Sequence, residues 1–270
     1  MQIHRRDFLT TTVMASAAAA LGTLETSAAD QPAPPAGTRE YFELRAYRLK
    51  PDAPHALLDA YLEKALIPAL NARGIKAVGV FTEPETKDGP AVWVLIPHAS
   101  AESVARVAVA LNADPALLAA AGEYLTAPTK ANPAFDRLDS WLLIAFAGMP
   151  QLAVPALGRE RKARVFELRI YESYSEAKGR KKVAMFNAGE IEVMQEVNLS
   201  PVFYGEAILG RDLPHLAYLL CSADRATHDK NWKAFLEHPT WVKLKGDPQY
   251  ADTVSKGTSR FLVPATFSQI

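Results

Sequence analysis

One cysteine, Cys221, is all that 270 residues contain, so an internal disulfide framework is excluded. Its setting in the apolar run LAYLLCSA predicts a small buried hydrophobe rather than a nucleophile. An excess of charge is missing as well. Thirty basic and thirty acidic residues cancel, which leaves no basic field for nucleic acid and no acidic tail. No spacing resembles HExxH or paired CxxC, so no metal site is expected. No glycine-rich phosphate loop follows a strand-like segment, and neither a GxSxG elbow nor a serine triad occurs. The one alanine-rich apolar stretch, VMASAAAALG, is shorter than the roughly 20 residues that a membrane-spanning helix needs.

That stretch belongs to a recognisable address. HRRDFL precedes it and TSAAD follows, with Ser27 and Ala29 at small-residue positions before a cut. Arg5, Arg6, Phe8 and Leu9 are similar to a twin-arginine export signal, with His4 and Thr10 departing from that pattern. Residues 1–29 are therefore expected to be an export signal for a periplasmic or extracellular protein, with no stable membrane span after its removal. The proline-rich QPAPPAG falls in a stiff linker at 30–39.

The rest of the chain is written twice. YFELRAYR at 41–48 returns as VFELRIYE at 165–172, its shared letters 124 positions apart. The same shift lays Asp88 and Pro90 on Asp212 and Pro214, Leu95 on Leu219, and Pro115 on Pro239. This places one repeat at 40–149 and another at 164–270, joined by a linker at 150–163. Periodicity predicts strands near 41–48, 75–82, 91–97 and 138–146, with helices near 53–73 and 100–111. The second copy repeats this with strands near 164–172, 201–208, 215–221 and 259–265, and helices near 176–197 and 223–236. Gly74 is placed to stop the first helix, and Pro68 to kink it. The order βαββαβ is that of a ferredoxin-like unit, whose open sheet face a linked copy can bury, giving an α+β fold.

FELRIY, NWKAFLEHPTW and the closing FLVPATFSQI resemble the NIPSNAP family of the dimeric α/β barrel superfamily, the second copy more than the first. The resemblance implies two tandem ferredoxin-like repeats forming an intramolecular dimeric α/β barrel. Similar barrels include cofactor-independent and haem-degrading monooxygenases, isomerases and dehalogenases, and fold does not choose among them.

Strand alternation puts Phe166, Leu168 and Ile170 on one face and Glu167, Arg169 and Tyr171 on the other, as it does Phe42, Leu44 and Ala46 against Glu43, Arg45 and Tyr47. The apolar set is expected under the helices, and the polar set across the barrel as a symmetric seam. On a helical wheel Glu190 falls in the stripe of Val183, Phe186, Val193, Met194 and Val197, with Asn187 at its edge; the first copy has Leu66 there. His228, Asn231, Trp232 and Phe235 share a face where the first copy has Val104, Val107, Ala108 and Leu111. These polar and aromatic residues make the second copy the candidate small-molecule pocket and the first a scaffold.

The candidate catalytic residues are Glu190 and His228, either serving as general base. Asn187 and Asn231 are candidates to stabilise an oxyanion, and Trp232, Phe235 and Phe186 to contact the ligand. No cofactor is required by this reading; by similarity to haem-degrading barrels, haem on His228 is the alternative. His55 is expected to face inward, His98 and His215 to flank strands, and KGRKK at 178–182 to be a solvated helix start. Cofactor-independent oxygenation or isomerisation is the leading reading, a non-catalytic binding or assembly module its competitor, and a homo-oligomer is permitted.

Overall fold

Alternating apolar and polar residues draw the chain into strands wherever one face can be sealed from water, and in this protein the sealed face closes on itself. The computed structural model describes residues 39–50, 55–84 and 89–270. The expected signal, most of the linker at 30–39, and Asp88 lie outside the described residues. The described strands are β1 Tyr41–Arg48, β2 Gly79–Thr82, β3 Ala91–His98, β4 Arg137–Ala145, β5 Val165–Glu172, β6 Pro201–Leu209, β7 His215–Ser222 and β8 Lys256–Pro264. They form one closed antiparallel barrel in the order β1-β3-β2-β8-β5-β7-β6-β4. The N-terminal half contributes β4-β1-β3-β2 and the C-terminal half β8-β5-β7-β6, the same internal order. The seams are β2 with β8, where Phe81 faces Pro264, and β4 with β6, where Ala145 faces Gly205. Past β8 the chain runs on along the N-terminal half. Gln269 N–H donates to the Val78 carbonyl and Val80 N–H to Ser268 Oγ, so β2 begins only at Gly79 and not near 75.

Helices cover the outside of the barrel. In the N-terminal half α1 (Ala56–Tyr61) passes through a wide π turn, Leu62–Leu66, into α2 (Ile67–Ala72). Pro68 lies just after that turn, where the hydrogen-bond ladder changes step and a missing N–H costs least. Gly74 then takes φ 81° and ends the helix, its N–H on the Asn71 carbonyl and that of Ile75 on Leu70, as a left-handed cap requires. Next come α3 (Ala101–Asn112), α4 (Pro115–Thr126) and, before β5, the short α5 (Ala156–Arg159). In the C-terminal half α6 (Glu176–Met185) enters a second π turn, Phe186–Glu190, and leaves as α7 (Ile191–Glu196); α8 (Arg225–Glu237) and α9 (Pro239–Gly246) follow. The two π turns are 124 residues apart. Neither α4 nor α9 is visible as a periodicity, since α4 is apolar on nearly every side and α9 is a short helix without one buried residue. Their starts are encoded locally: Asp114 and His238 cap the first turns, each followed by proline.

The expected assignment of faces is reversed. The barrel interior holds Phe42, Leu44 and Ala46 of β1 together with Phe166 and Leu168 of β5, Trp93 and Leu95 of β3, Trp141 and Leu143 of β4, and Cys221 of β7, all buried. Phe42 meets Phe203 at 5.0 Å and Phe81 meets Phe166 at 4.9 Å between ring centroids. Glu167, Arg169 and Tyr171, with Glu43, Arg45 and Tyr47, lie outside the barrel under the helices. The reason is enclosure: inside a closed barrel a charge has no route to water, whereas under helices a long side chain can reach a helix edge. The proposed polar seam across a pseudo-twofold axis is therefore absent from the described residues. His55, expected to face inward, is instead exposed at the start of α1, its Nδ1 2.7 Å from Asp59 Oδ2.

The tight passage between β6 and β7 supplies a test. Gly210 has φ 131°, and a Cβ there would stand 2.3 Å from Trp141 Cδ1. Gly210→Ala should lower the unfolding free energy by about 2 kcal/mol through backbone strain and overpacking, read from the urea midpoint.

Candidate functional site

The outer face of β5 is an arginine held between a carboxylate and a phenol. Arg169 Nη1 donates to Glu167 Oε1 at 2.6 Å and its Nε to the Tyr171 hydroxyl at 2.9 Å. Its guanidinium lies 4.3 Å from the Trp232 ring, which α8 lowers onto it. Burial works to raise the Glu167 carboxyl, but the His228 hydrogen bond, the Arg169 charge and the Ser259 hydroxyl outweigh it and hold the group below its usual range. The N-terminal half builds the same unit differently. Arg45 clasps both oxygens of Glu43, at 2.7 and 2.9 Å, Ser140 adds a third bond, and the histidine facing the acid is His98 from β3.

Beneath α6 and the π turn lies the feature that distinguishes the halves. Lys182 Nζ donates to Glu190 Oε2 at 2.8 Å, with both side chains almost entirely buried. The ammonium stands 4.6 Å from the Phe186 ring, 5.3 Å from Trp241 and 5.8 Å from Tyr171, an aromatic cage. Tyr171 and Tyr218 share a hydroxyl contact of 2.9 Å above it. Burial pushes the Glu190 carboxyl up, and the Lys182 and Arg169 charges only partly oppose it. Gly189 takes φ 137° inside the π turn, a conformation open to glycine, while Ala65 stands at the matching position of the other half. The KGRKK segment is thus not wholly solvated, because its last residue is a buried partner of Glu190.

At positions 124 residues earlier, Lys182 and Glu190 correspond to Leu58 and Leu66, both fully buried. Similarly Phe186 replaces Leu62, Tyr204 replaces Val80, Tyr218 replaces Val94, Phe235 replaces Leu111 and Trp241 replaces Leu117. At these positions one helix-to-sheet layer is aliphatic, and the other is aromatic with an ion pair inside. The 124-residue shift carried this signal for Lys182, Tyr204, Tyr218 and Trp241, which the single wheels of Glu190 and His228 missed.

The predicted residues do not all meet. Glu190, Phe186 and Phe235 sit in the buried layer, and Trp232 and Trp241 are half-buried at its edge. His228 is buried, but Nε2 faces Glu167 Oε2 at 2.9 Å and Nδ1 faces Asp229 Oδ1 at 3.1 Å. Because Glu167 is an acceptor, His228 supplies the proton of that bond. Both ring nitrogens thus face carboxylates, which leaves neither open to a ligand in this arrangement and sets His228 to hold Glu167 beside Arg169. Asn187 and Asn231 are each anchored to the backbone, Asn187 Oδ1 accepting from Gly148 N–H at 2.8 Å and Asn231 Nδ2 donating to the Asn198 carbonyl at 3.0 Å. Each keeps a donor, since Asn187 uses only its oxygen and Asn231 one of its two N–H groups. Helical wheels report a side, not which neighbouring loop claims the amide.

The architecture defines the class first: an eight-stranded antiparallel α/β barrel of the dimeric type, completed within one chain. A monooxygenase, provisionally assigned as such, from Lactobacillus acidophilus NCFM shares it with a TM-score of 0.55 at 10% identity, over 84% of this chain and 94% of that one. A second, likewise provisional, from Fusobacterium nucleatum subsp. nucleatum ATCC 25586 gives 0.53 at 8% identity, over 84% and 93%. Residues 166–269, within the C-terminal half, match the family model described as NIPSNAP. A NIPSNAP-like domain protein from Burkholderia xenovorans is 20% identical over 39% of this chain and 88% of its own, with a TM-score of 0.35. No curated protein matches the chain.

Two outcomes follow. Glu190→Leu alone strands a buried ammonium and should cost about 3–5 kcal/mol, whereas Lys182→Leu with Glu190→Leu should be neutral or stabilising by about 1–4 kcal/mol; chemical denaturation of both variants checks this. In the other half, burial would raise Glu43, but His98, Arg45 and Ser140 bring it down to about 2. A depressed carboxyl contributes stability above its unfolded value, here 4.5, and loses it as pH falls through about 2. Stability measured over that window should fall less steeply in Glu43→Gln than in wild type.

Proposed function

We propose that the chain is a tandem duplication of a ferredoxin-like unit whose C-terminal half binds a small, largely apolar molecule and moves a proton on it. The duplication is supported by the shared strand order, the repeated π turn and the 124-residue shift. One observation carries the site. An ion pair stands where the same fold elsewhere accepts two leucines, so the fold does not require it, and two buried charges are costly to keep. In the reaction Glu190 takes a proton from an activated carbon or hydroxyl of the ligand, and the electron pair left behind is an enolate or phenolate. Lys182, Arg169 and the paired Tyr171 and Tyr218 hydroxyls are the positive and donating groups that hold that charge. Return of the proton to another carbon completes an isomerisation. In oxygenation the anion adds to dioxygen, the co-substrate, at a carbon that still bears hydrogen; the resulting peroxide takes back the proton from Glu190 and loses water as its O–O bond breaks, leaving a carbonyl. Arg169, Tyr171, Trp232 and Trp241, the half-buried members, form the solvent edge through which the ligand enters.

The export reading is part of the same proposal: Arg5 and Arg6 address the folded protein to the periplasm or beyond. A second reading, assembly without turnover, is favoured by Val109, Leu118 and Leu125, apolar side chains exposed on α3 and α4.

Native mass spectrometry of the protein as expressed separates the two. Wild type should carry a small molecule that the stable Lys182→Leu, Glu190→Leu double variant lacks. Equal occupancy in both would remove the site from consideration.

A further inference from the structure

The barrel has a mouth on the far side of β5, separate from the helix-covered layer. There, where β1 and β5 end and β4, β7 and β8 begin, a cavity of about 510 Å³ opens, within the range of small-molecule sites. Trp93 and Trp141 line it with nearly parallel rings, 14° apart in plane and 6.1 Å between centroids. The Trp93 indole N–H is buried without a hydrogen-bond partner among the described residues.

Arginines surround these rings, and one has capacity to spare. Both oxygens of Glu83 hold Arg260, at 3.0 and 3.1 Å. Arg48 and Arg211 converge on a single oxygen, Asp139 Oδ2, at 3.1 and 3.2 Å. Arg48 gives that oxygen only its Nε, so its two terminal amino groups have no protein hydrogen-bond partner among the described residues, although the side chain is 18% exposed. A guanidinium with an open outer edge is the bidentate receptor for a carboxylate. Its carbon lies 5.5 Å from the Trp93 ring, so a group carried by such a carboxylate would rest on the indoles. The mouth sets Arg48, Arg137, Arg211, Lys256 and Arg260 against Asp136, Glu172 and Asp212, a basic balance that favours an anion. Lys256 is held by Glu172, Arg211 by Asp139 and Asp212, and Arg260 by Glu83, so the open edge of Arg48 is the place for one carboxylate.

We propose that the barrel mouth binds a small aromatic monocarboxylate, its carboxylate on Arg48 and its ring against Trp93 and Trp141. Isothermal titration with benzoate, benzamide and acetate tests this on the full chain. Benzoate should bind at least about tenfold more tightly than either of the others, since each lacks one of the two recognised groups. Arg48→Gln should weaken benzoate by about tenfold or more, and Thr258→Phe, which fills the cavity without changing charge, should abolish binding. The Lys182→Leu, Glu190→Leu variant should bind benzoate as wild type does. Absence of benzoate binding, equal binding of benzamide or acetate, or undiminished binding by Thr258→Phe overturns the proposal. So does loss of benzoate in the Lys182, Glu190 variant, which would assign the ligand to the helix-covered layer. Circular dichroism verifies the fold of each variant; should Arg48→Gln misfold, Thr258→Phe decides.

Discussion

A sheet that closes must fill its own interior, and in this protein that demand settles where nearly every other group goes. Eight strands surround a space that only their own side chains can occupy, and Phe42, Leu44, Phe166, Leu168, Trp93 and Leu219 occupy it. Once these point inward, strand geometry leaves their neighbours no choice but the outer face. Glu43, Arg45, Glu167 and Arg169 thus lie beneath helices, where each acid must find a donor. Arg45 and Ser140 supply it in one half, where His98 stands 3.9 Å away, and Arg169, Ser259 and His228 supply it in the other.

From that shared frame the halves separate by chemistry rather than by shape. Leucines under α1 and α2 and valines on the strands below them make apolar contacts alone at the positions in question. Under α6 and α7 the same places hold tyrosines, a phenylalanine, a lysine and a glutamate. Burying the last two is tolerable only because each neutralises the other inside a ring of aromatic faces. That coupling is why Glu190 cannot be judged alone: its removal is a different perturbation from removal of the pair.

Much of this was legible in the letters. Alternation located all eight strands to within a few residues, the 124-residue shift aligned the halves, and Gly74 announced its helix end. Cys221 is buried as its apolar neighbours suggest. The faces of β1 and β5 were not legible, since alternation says that two faces differ but not which one a barrel will enclose. Lys182 escaped because a basic run at a helix start has the composition of a solvated surface, and only Leu58 in the other half hints otherwise. The anchoring of Asn187 and Asn231 was not legible either, because their partners are backbone groups of distant loops, Gly148 and Asn198, which no local pattern reveals.

Strand β5 is the wall between the helix-covered layer and the barrel mouth, with Arg169 and Tyr171 toward the helices and Ile170 and Glu172 toward the mouth. A one-residue slip of this strand against β7 or β8 would exchange those environments at a stroke, sending two charges into the barrel and two large apolar side chains under the helices. No partial version of that error is cheap. Misregistered chains are therefore selected against during folding itself, and the groups on either side of β5 reach their places in the same event that closes the barrel.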